Sequence, residues 1–240
     1  MPLATPQVVV FDVNETLSDM TPLRARWEAV GAPPHLAQQW FAEVLRDGFA
    51  LAAAGAQEDF ATIAADVARR LLVGAGRDAG AGQDLDAAVA HVMGGFAALE
   101  VHPDVADGIR ALHDLGIRLV TLTNGATTVA DRLLQGADLR DRFEQLLSVS
   151  DAGLWKPAAQ AYRHALDACG VSATEAMLVA VHPWDVDGAS RAGLRTAWVS
   201  RTGGRYPAYF RAPDVTVGSL VELAQAVTRG GPAGHPSPGR

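Results

Sequence analysis

Strands and helices alternate along most of this sequence. Positions 7–11 form an apolar, largely β-branched run, which predicts a strand buried on both faces of a parallel sheet. Beyond position 100 the periodicity predicts helices over residues 105–115, 129–134, 158–169, 186–192 and 220–227, and strands over residues 119–122, 146–149, 177–181, 196–199 and 215–217. This alternation is typical of an α/β fold built on a doubly wound parallel sheet.

The stretch between the first strand and the rest of the sheet has a different pattern. From position 20 to position 99 the periodicity is helical throughout, with four helices predicted over residues 22–30, 36–53, 58–73 and 85–98. Such a block predicts an inserted lobe. We therefore expect a core domain of residues 1–18 and 100–229, a helical cap domain of residues 19–99, and a disordered tail over residues 230–240, which are rich in Gly and Pro.

Charge and hydropathy disfavour several classes of function. Acidic residues outnumber basic ones by 27 to 20 and the net charge is -7, which argues against a nucleic-acid partner. No uninterrupted apolar run reaches the roughly 18 residues that a membrane span needs. The single cysteine, Cys169, cannot form an internal disulfide, and residues 1–6 lack the basic and apolar regions of a signal peptide. We expect a cytoplasmic protein that binds a small molecule and neither nucleic acid nor membrane.

Polar residues follow several of the predicted strands at the point where each strand ends. They are Asp12, Asn14, Thr16, Thr123, Asn124, Lys156, His182 and Asp185. Ligands of open α/β sheets bind beyond the carboxyl ends of the strands, so these residues are expected to converge on one crevice. A carboxylate at such a position can attack carbon or phosphorus and form an ester or acyl phosphate that water later cleaves. Asp12 suits this role.

Four short motifs resemble, in order and spacing, those of the haloacid dehalogenase superfamily. They are FDVNETL at residues 11–17, LTNG at 122–125, KP at 156–157 and WDVDGA at 184–189. The likeness extends from residue 8 to about residue 199, and the helical block falls where this superfamily inserts its cap. Trp184 before Asp185, and Tyr162 shortly after Lys156, resemble the L-2-haloacid dehalogenase (type II) branch. The resemblance implies a Rossmann-like core with an inserted helical cap.

The resemblance also implies a hydrolase that acts on carbon–halide bonds. Asp12 would attack C2 of a small 2-haloalkanoate with inversion, and Asp185 would activate the water that cleaves the resulting ester to give a 2-hydroxyalkanoate. The implied catalytic residues are Asp12, Thr16, Lys156 and Asp185. The candidates for substrate binding are Asn14, Thr123, Asn124, Tyr162, His182, Trp184, Phe41, Leu45 and Phe60, of which the last three also suit a helix core. The substrate is a small carboxylate.

Two positions disfavour the main alternative, a magnesium-dependent phosphatase acting on a small phosphoester. Phosphatases of this superfamily resemble one another in carrying an acidic residue two positions after the nucleophile, where this chain has Asn14. They also carry an acidic residue near the fourth motif that helps to hold magnesium, where this chain has Ala180. Asp187 would replace the second carboxylate only if its turn aimed it inward. We expect no cofactor, with magnesium required only if the phosphatase interpretation holds.

Other positions depart from the dehalogenase pattern and leave the leaving group open. Phe41 follows Trp40 where that branch has an arginine that helps to draw off the halide, and His182 replaces an asparagine. Candidate substitutes for the missing cation are Arg24, Arg26 and Arg46. His182 can orient water, stabilise an anion or act as a base. A hydrolase of another small carbon electrophile, such as a strained ring, and a non-catalytic binding relative therefore remain alternatives. The resemblance further implies a homodimer.

Overall fold

The computed structural model describes residues 5–76 and 82–230. Six parallel strands form one sheet in the order β3-β2-β1-β4-β5-β6, which is a doubly wound arrangement and confirms the predicted α/β class. The strands are β1 (Val8–Phe11), β2 (Arg118–Thr123), β3 (Gln145–Ser148), β4 (Ala176–Ala180), β5 (Arg195–Val199) and β6 (Val215–Val217). Apart from residue 230, the tail predicted to be disordered lies outside the described residues.

Helices fill the connections between the strands. They are α1 (Leu23–Ala29), α2 (Leu36–Ala53), α3 (Phe60–Gly74), α4 (Gly82–Ala97), α5 (Val105–Asp114), α6 (Thr127–Gly136), α7 (Val149–Ala152), α8 (Ala159–Cys169), α9 (Pro183–Arg191) and α10 (Leu220–Gly230), with short 3₁₀ turns at Arg140–Arg142 and Ala173–Glu175. Helices α1–α4 all lie between β1 and β2, as the helical periodicity of that stretch predicts. We call these four helices the helical block.

The central strand β1 packs against a hydrophobic core on each face of the sheet. Val8 and Val10 belong to a core that continues into the helical block, whereas Val9 and Phe11 belong to a second core formed with α5, α6 and α10. Side chains alternate between the two faces of a strand, so an entirely apolar strand must be buried on both. The run that predicts this strand therefore also fixes its place in the middle of the sheet.

The chain leaves and re-enters the sheet domain through two adjacent segments. Ser18 and Val101 form an antiparallel bridge, and the backbone N–H of Asp19 donates to the carbonyl of Glu100 at 2.8 Å. The block then folds back over the sheet edge, where the indole ring of Trp155 lies against Gly48 of α2. A Cβ at position 48 would lie 2.3 Å from that ring, so only glycine permits this approach.

Helix α9 begins earlier than the sequence predicts. The predicted start at residue 186 is wrong, because the helix starts at Pro183 with His182 as its N-cap residue. Proline suits the first helical position, since it lacks the N–H that would be unpaired there and its φ is already helical. Trp184 and Asp185 therefore lie in the first turn of α9, and Asp185 does not precede and cap the helix.

Within the described residues, we find no helix that combines the length and the apolar character required to cross a membrane.

Candidate active site

Polar residues from three neighbouring strands meet at the carboxyl edge of the sheet. Asp12 follows β1, and its backbone N–H donates to the carbonyl of Val179 in β4 at 3.0 Å. Asn124 follows β2 and His182 follows β4. Because β1 lies between β2 and β4, these residues come together although more than one hundred positions separate the first from the others. The side chains of Asp12, Asn124 and His182 are all buried.

Lys156 lies between two carboxylates at the centre of this cluster. It is the only lysine in the sequence, and its side chain is fully buried. Its Nζ donates to Asp12 Oδ1 at 2.9 Å and to Asp185 Oδ2 at 2.6 Å. Tyr162 donates its hydroxyl to the other oxygen of Asp185, Oδ1, at 2.6 Å. Buried charges need partners of this kind, because an unpaired ion in a low-dielectric interior is very costly.

The two carboxylates beside Lys156 differ in proton affinity. Burial would raise the pKa of Asp12, but the Lys156 ammonium and the hydrogen bonds from His182 and Thr16 outweigh it and hold the pKa well below its ordinary value. Burial raises the pKa of Asp185, and Lys156 offsets this only in part, since the charge of Asp12 opposes ionisation of Asp185. Asp12 is thus a fully ionised carboxylate, and Asp185 is the more basic of the two.

The second oxygen of Asp12 accepts two hydrogen bonds. Thr16 donates its hydroxyl to Oδ2 at 2.6 Å, and His182 donates its Nδ1–H to the same oxygen at 3.0 Å. The Thr16 hydroxyl is itself held in place, because its oxygen accepts the backbone N–H of Val181 at 3.0 Å. Both donors to Oδ2 are therefore aimed by the segments that follow β1 and β4.

His182 bridges Asp12 to a second acid, Glu15. Its Nε2–H donates to Glu15 Oε2 at 2.8 Å, so both ring nitrogens face carboxylates. The ring stacks on Trp184 with centroids 5.0 Å apart and lies 6.0 Å from the ring of Phe41. Burial opposes the charged form of the imidazole, but the bonds to the two acids outweigh it and raise the pKa of His182 to about 9. The histidine is an imidazolium at neutral pH.

The raised pKa of His182 makes the stability of the chain depend on pH. Since the folded value lies above the unfolded value of about 6.5, the imidazolium stabilises the fold fully below roughly pH 6.5, and this contribution is lost as the pH rises through about 9. We expect the unfolding free energy of the wild type to fall by about 3 kcal/mol over this pH range because of His182. In His182→Asn this fall is expected to be absent. Urea unfolding at both ends of the range measures the difference, and equal losses in the two proteins would contradict it.

Glu15 is a residue of this cluster that the sequence reasoning missed. Its φ of 61° lies in the left-handed region, which a residue with a Cβ rarely adopts. His102 donates its Nε2–H to the Glu15 carbonyl at 3.0 Å and so holds this turn. The sequence does contain an acid inside the first motif and a histidine beside the fourth. That the two side chains pair can be inferred only once β1 and β4 are known to be neighbours.

The motifs and this geometry agree with a match to known proteins. A family model described as haloacid dehalogenase-like hydrolase matches residues 6–193. The chain belongs to this family. A solved L-2-haloacid dehalogenase is 26% identical in sequence, and the likeness covers 94% of this chain and 100% of that one with a TM-score of 0.84.

Two curated relatives of this haloacid dehalogenase-like chain have different activities. An (S)-2-haloacid dehalogenase of Pseudomonas sp. (strain YL) is 34% identical over 140 residues, which is 58% of this chain and 60% of that protein. A phosphoserine phosphatase of Thermus thermophilus is 36% identical over 130 residues, which is 53% of this chain and 52% of that protein. The matched segments thus span about half to three-fifths of these relatives.

Asn124 fixes the loop that carries Lys156. Its side-chain Oδ1 accepts the backbone N–H of Lys156 at 2.9 Å, and its Nδ2 donates to the Lys156 carbonyl at 3.4 Å. Thr123 accepts the backbone N–H of Gly125 through Oγ1 at 2.9 Å. The second motif of the family therefore connects the end of β2 to the loop that delivers the ammonium group.

Two cavities adjoin the cluster without containing Asp12. The smaller, of about 260 Å³, is lined by Asn14, Phe60, Thr123 and Asn124, four of the residues predicted to bind substrate. The larger, of about 450 Å³, is lined by Glu15 and Phe41 together with residues of α1 and of the loop after β5. The larger cavity has more room, but the smaller one is lined both by the second motif and by Asn14, two positions after Asp12. The smaller cavity is therefore the better candidate for the substrate site.

The other candidates named from the sequence have different placements. Leu45 is partly buried against the core of the helical block. Arg46 pairs on the surface with Glu43 and Asp47, and it does not supply the missing cation. Arg24 lines the larger cavity.

Asp187 does not compensate for the acid that Ala180 replaces. Its carboxylate accepts hydrogen bonds from Arg191 at 2.7 Å and from the backbone N–H of Arg211 at 2.9 Å. Its two oxygens are therefore both occupied by these partners, and neither Lys156 nor Asp12 is among its hydrogen-bond partners. Among residues 5–76 and 82–230, we find no group of three or more His, Cys, Asp or Glu side chains placed to hold a metal ion.

Gly188 allows α9 to pack against the loop that carries Lys156. A Cβ at position 188 would lie 2.6 Å from both Pro157 Cβ and the Tyr162 hydroxyl. We expect Gly188→Ala to lower the unfolding free energy by about 1–3 kcal/mol, because the helix must shift away from both. Gly94→Ala is the control, since nothing lies within 4 Å of its Cβ position and alanine there favours the helix. Urea unfolding compares the two, and an unaltered stability of Gly188→Ala would contradict the close packing.

Proposed function

We propose that this protein is a 2-haloacid dehalogenase that converts a small 2-haloalkanoate into a 2-hydroxyalkanoate and halide through an ester on Asp12. One observation carries the proposal: the ionised carboxylate of Asp12 is buried at a strand end, with the ammonium of Lys156 at 2.9 Å and a second acid, Asp185, on the same ammonium. The (S)-2-haloacid dehalogenase activity of the Pseudomonas relative and the likeness to a solved dehalogenase support it.

In the first step Asp12 displaces the halide at C2 with inversion. Its lowered pKa keeps the carboxylate ionised, and burial strips it of water, so that it is ready to attack a bound electrophile. The C2–halide bond breaks as the C2–O bond forms, and the halide leaves with the bonding electrons. A halide needs no proton on departure, which suits a chain with Asn14 where a phosphatase would place an acid.

In the second step water cleaves the ester, with Asp185 as the base. The raised pKa of Asp185 makes it a better proton acceptor than an ordinary carboxylate, and hydrogen bonds from Lys156 and Tyr162 fix its orientation. In the ester Asp12 carries no negative charge, so the repulsion between the two acids is gone and burial is the remaining cause that raises the pKa of Asp185.

The smaller cavity is the proposed site for the substrate carboxylate and alkyl chain. Its volume of about 260 Å³ lies below the range of drug-sized pockets and suits a short acid. Asn14, Thr123 and Asn124 supply polar groups, and Phe60 supplies an apolar surface. Phe60 is itself fixed by stacking on Phe96 and Trp155, with centroids 5.3 and 5.8 Å away.

We further propose that residues 19–99 act as a cap over this site. The chain enters and leaves this region through the paired segments at Ser18 and Val101, and aromatic contacts such as Phe49 on Trp184, at 4.8 Å, close the block over the fourth motif. A homodimer is also proposed, on the family resemblance alone, and light scattering of the purified protein would test it.

Halide release tests the proposed activity directly. The protein is incubated with 2-chloropropionate enantiomers and with chloroacetate in the presence of EDTA, and chloride and the configuration of the product are measured. We expect chloride from one enantiomer, an inverted 2-hydroxyacid and no effect of the chelator. If no acid of a short-chain panel gives halide, the substrate assignment is wrong.

A phosphatase is the second candidate, because the phosphoserine phosphatase relative is 36% identical over its matched segment. Hydrolysis of phosphoserine or p-nitrophenyl phosphate that requires added magnesium would favour it. The pairing of Asp187 with Arg191 and the backbone of Arg211, together with Asn14 and Ala180 in the motifs, argues against it.

A further inference from the structure

We propose that His182, positioned by Glu15, is a catalytic residue that binds the oxyanion formed on Asp12 Oδ2 when water cleaves the aspartyl ester. This inference rests on the proposed function, since it concerns the second step of that reaction. It assigns a role to the position where this chain carries an imidazole in place of the asparagine of the dehalogenase pattern.

The two oxygens of Asp12 have different donors and therefore different roles. Oδ1 accepts one hydrogen bond, from Lys156, whereas Oδ2 accepts two, from Thr16 at 2.6 Å and His182 at 3.0 Å. Each donor withdraws electron density from its oxygen and restricts its approach to a substrate. Oδ1 is thus the freer nucleophile. Once Oδ1 is bonded to C2, Oδ2 is the carbonyl oxygen of the ester and keeps both donors.

Cleavage of the ester places negative charge on Oδ2. Water attacks Cγ of Asp12, one of its protons passes to Asp185, and the electron pair of the carbonyl bond moves to Oδ2. As the intermediate collapses, the Cγ–Oδ1 bond breaks and the departing hydroxyacid oxygen takes the proton from Asp185. The remaining proton of the water is released when Asp12 ionises again. A charged donor already in place on Oδ2 stabilises this intermediate without reorganisation.

His182 is poorly placed for the alternative role of drawing off the halide. In-line displacement puts the leaving group on the side of C2 opposite to the attacking oxygen, whereas His182 is bonded to the attacking carboxylate itself. Its other N–H donates to Glu15 at 2.8 Å. Phe41, at the position of the arginine of the dehalogenase pattern, lies beside the imidazole ring. Neither N–H is directed towards a departing anion.

Glu15 is the positioning residue of this pair. Its left-handed backbone, with the carbonyl held by His102, brings the carboxylate to His182 Nε2. The acid fixes the ring so that Nδ1–H points to Asp12, and it favours the imidazolium, which is the better donor to an oxyanion. The arrangement follows the general logic in which a carboxylate orients a catalytic histidine.

Single-turnover measurements separate the two steps of the reaction. Wild type, His182→Ala and His182→Asn are mixed with 2-chloropropionate, quenched at short times and analysed by intact mass, which gives the rates of ester formation and decay. We expect ester decay about 100-fold slower in His182→Ala, so that the adduct accumulates, while ester formation changes far less. His182→Asn, which restores a neutral donor, is expected to fall between wild type and His182→Ala. The surface variant His113→Ala is the control and should match the wild type.

Glu15→Gln tests the positioning role. The amide keeps a hydrogen-bond acceptor for His182 but removes the charge that favours the imidazolium. The groups that face the ring are Glu15 and Asp12, with Lys156 on the other oxygen of Asp12. The charged form of His182 is the active one, so the rate of ester decay is expected to fall as the pH rises. In Glu15→Gln this fall should begin at a lower pH than in the wild type.

Several outcomes would overturn the inference. Normal ester decay in His182→Ala would overturn it and leave the proposed function intact. Slow ester formation without accumulation would assign His182 to the leaving group. A decay rate that rises with pH, with His182→Asn as slow as His182→Ala, would make it a base for water. Absence of halide release from the wild type would overturn the proposed function and the inference with it.

Discussion

Asp12→Asn is expected to abolish dehalogenation, with a fall in halide release on the order of 10⁴-fold or more. The amide has nearly the same shape, but it carries no negative charge and its nitrogen is a poor nucleophile. It also leaves the charges of Lys156 and His182 without their shared partner. Halide release measures the activity, and intact mass after a rapid quench with 2-chloropropionate should show an adduct on the wild type and none on the variant.

Asp187→Asn is the matched control for this loss. Asp187 lies two residues from Asp185, but its partners are Arg191 and the backbone of Arg211. We expect this variant to keep its halide release, because its carboxylate makes no hydrogen bond to Asp12, Lys156 or Asp185. Activity that persisted in Asp12→Asn, or an adduct mapped to another residue, would contradict the assignment of the nucleophile.

Lys156→Met is expected to lower the unfolding free energy by about 3–5 kcal/mol at neutral pH, and to remove activity. Methionine fills a similar volume, but the change leaves Asp12 and Asp185 buried and close together with no ammonium between them. Without the cation the folded-state pKa values of both acids rise, and that of Asp185 already lies above the unfolded one, so the missing stability is partly regained as the pH falls and the acids take up protons. Urea unfolding near pH 7 and near pH 5 measures both effects.

Arg46→Met is the control for the lysine substitution. Its side chain is 57% exposed and pairs with Glu43 and Asp47 on the surface. Exposed ion pairs contribute little, so this variant should leave the stability nearly unchanged at either pH. An equally small effect of Lys156→Met on the unfolding free energy would show that the buried ammonium does not stabilise the two ionised acids. A loss of unfolding free energy that grows as the pH falls would show the same.

The positions of the main elements follow from local patterns in the sequence. The apolar run before Asp12 must be a strand buried on both faces, and the 3.6-residue period of residues 36–53 predicts the bounds that α2 has in the structure. The rule that ligands lie beyond the carboxyl ends of parallel strands then brings Asp12, Asn124, Lys156 and His182 towards one crevice before any coordinate is known. Periodicity and chain direction are local properties, so the sequence is enough to predict them.

The contacts within the crevice depend on tertiary structure. The direction of Asp187 depends on Arg211, which lies 24 residues away, and the start of α9 places Asp185 on Lys156 and Tyr162 instead of at a helix cap. The link from Asp12 through His182 to Glu15 exists because β1 and β4 are neighbours in the sheet. Local patterns are enough to predict the strands, the helical block and the strand ends at which polar residues collect. Which oxygen each donor reaches was decided only by the packing of strands and helices distant in the chain, because a hydrogen bond requires atoms within about 3 Å and no local pattern specifies such a distance.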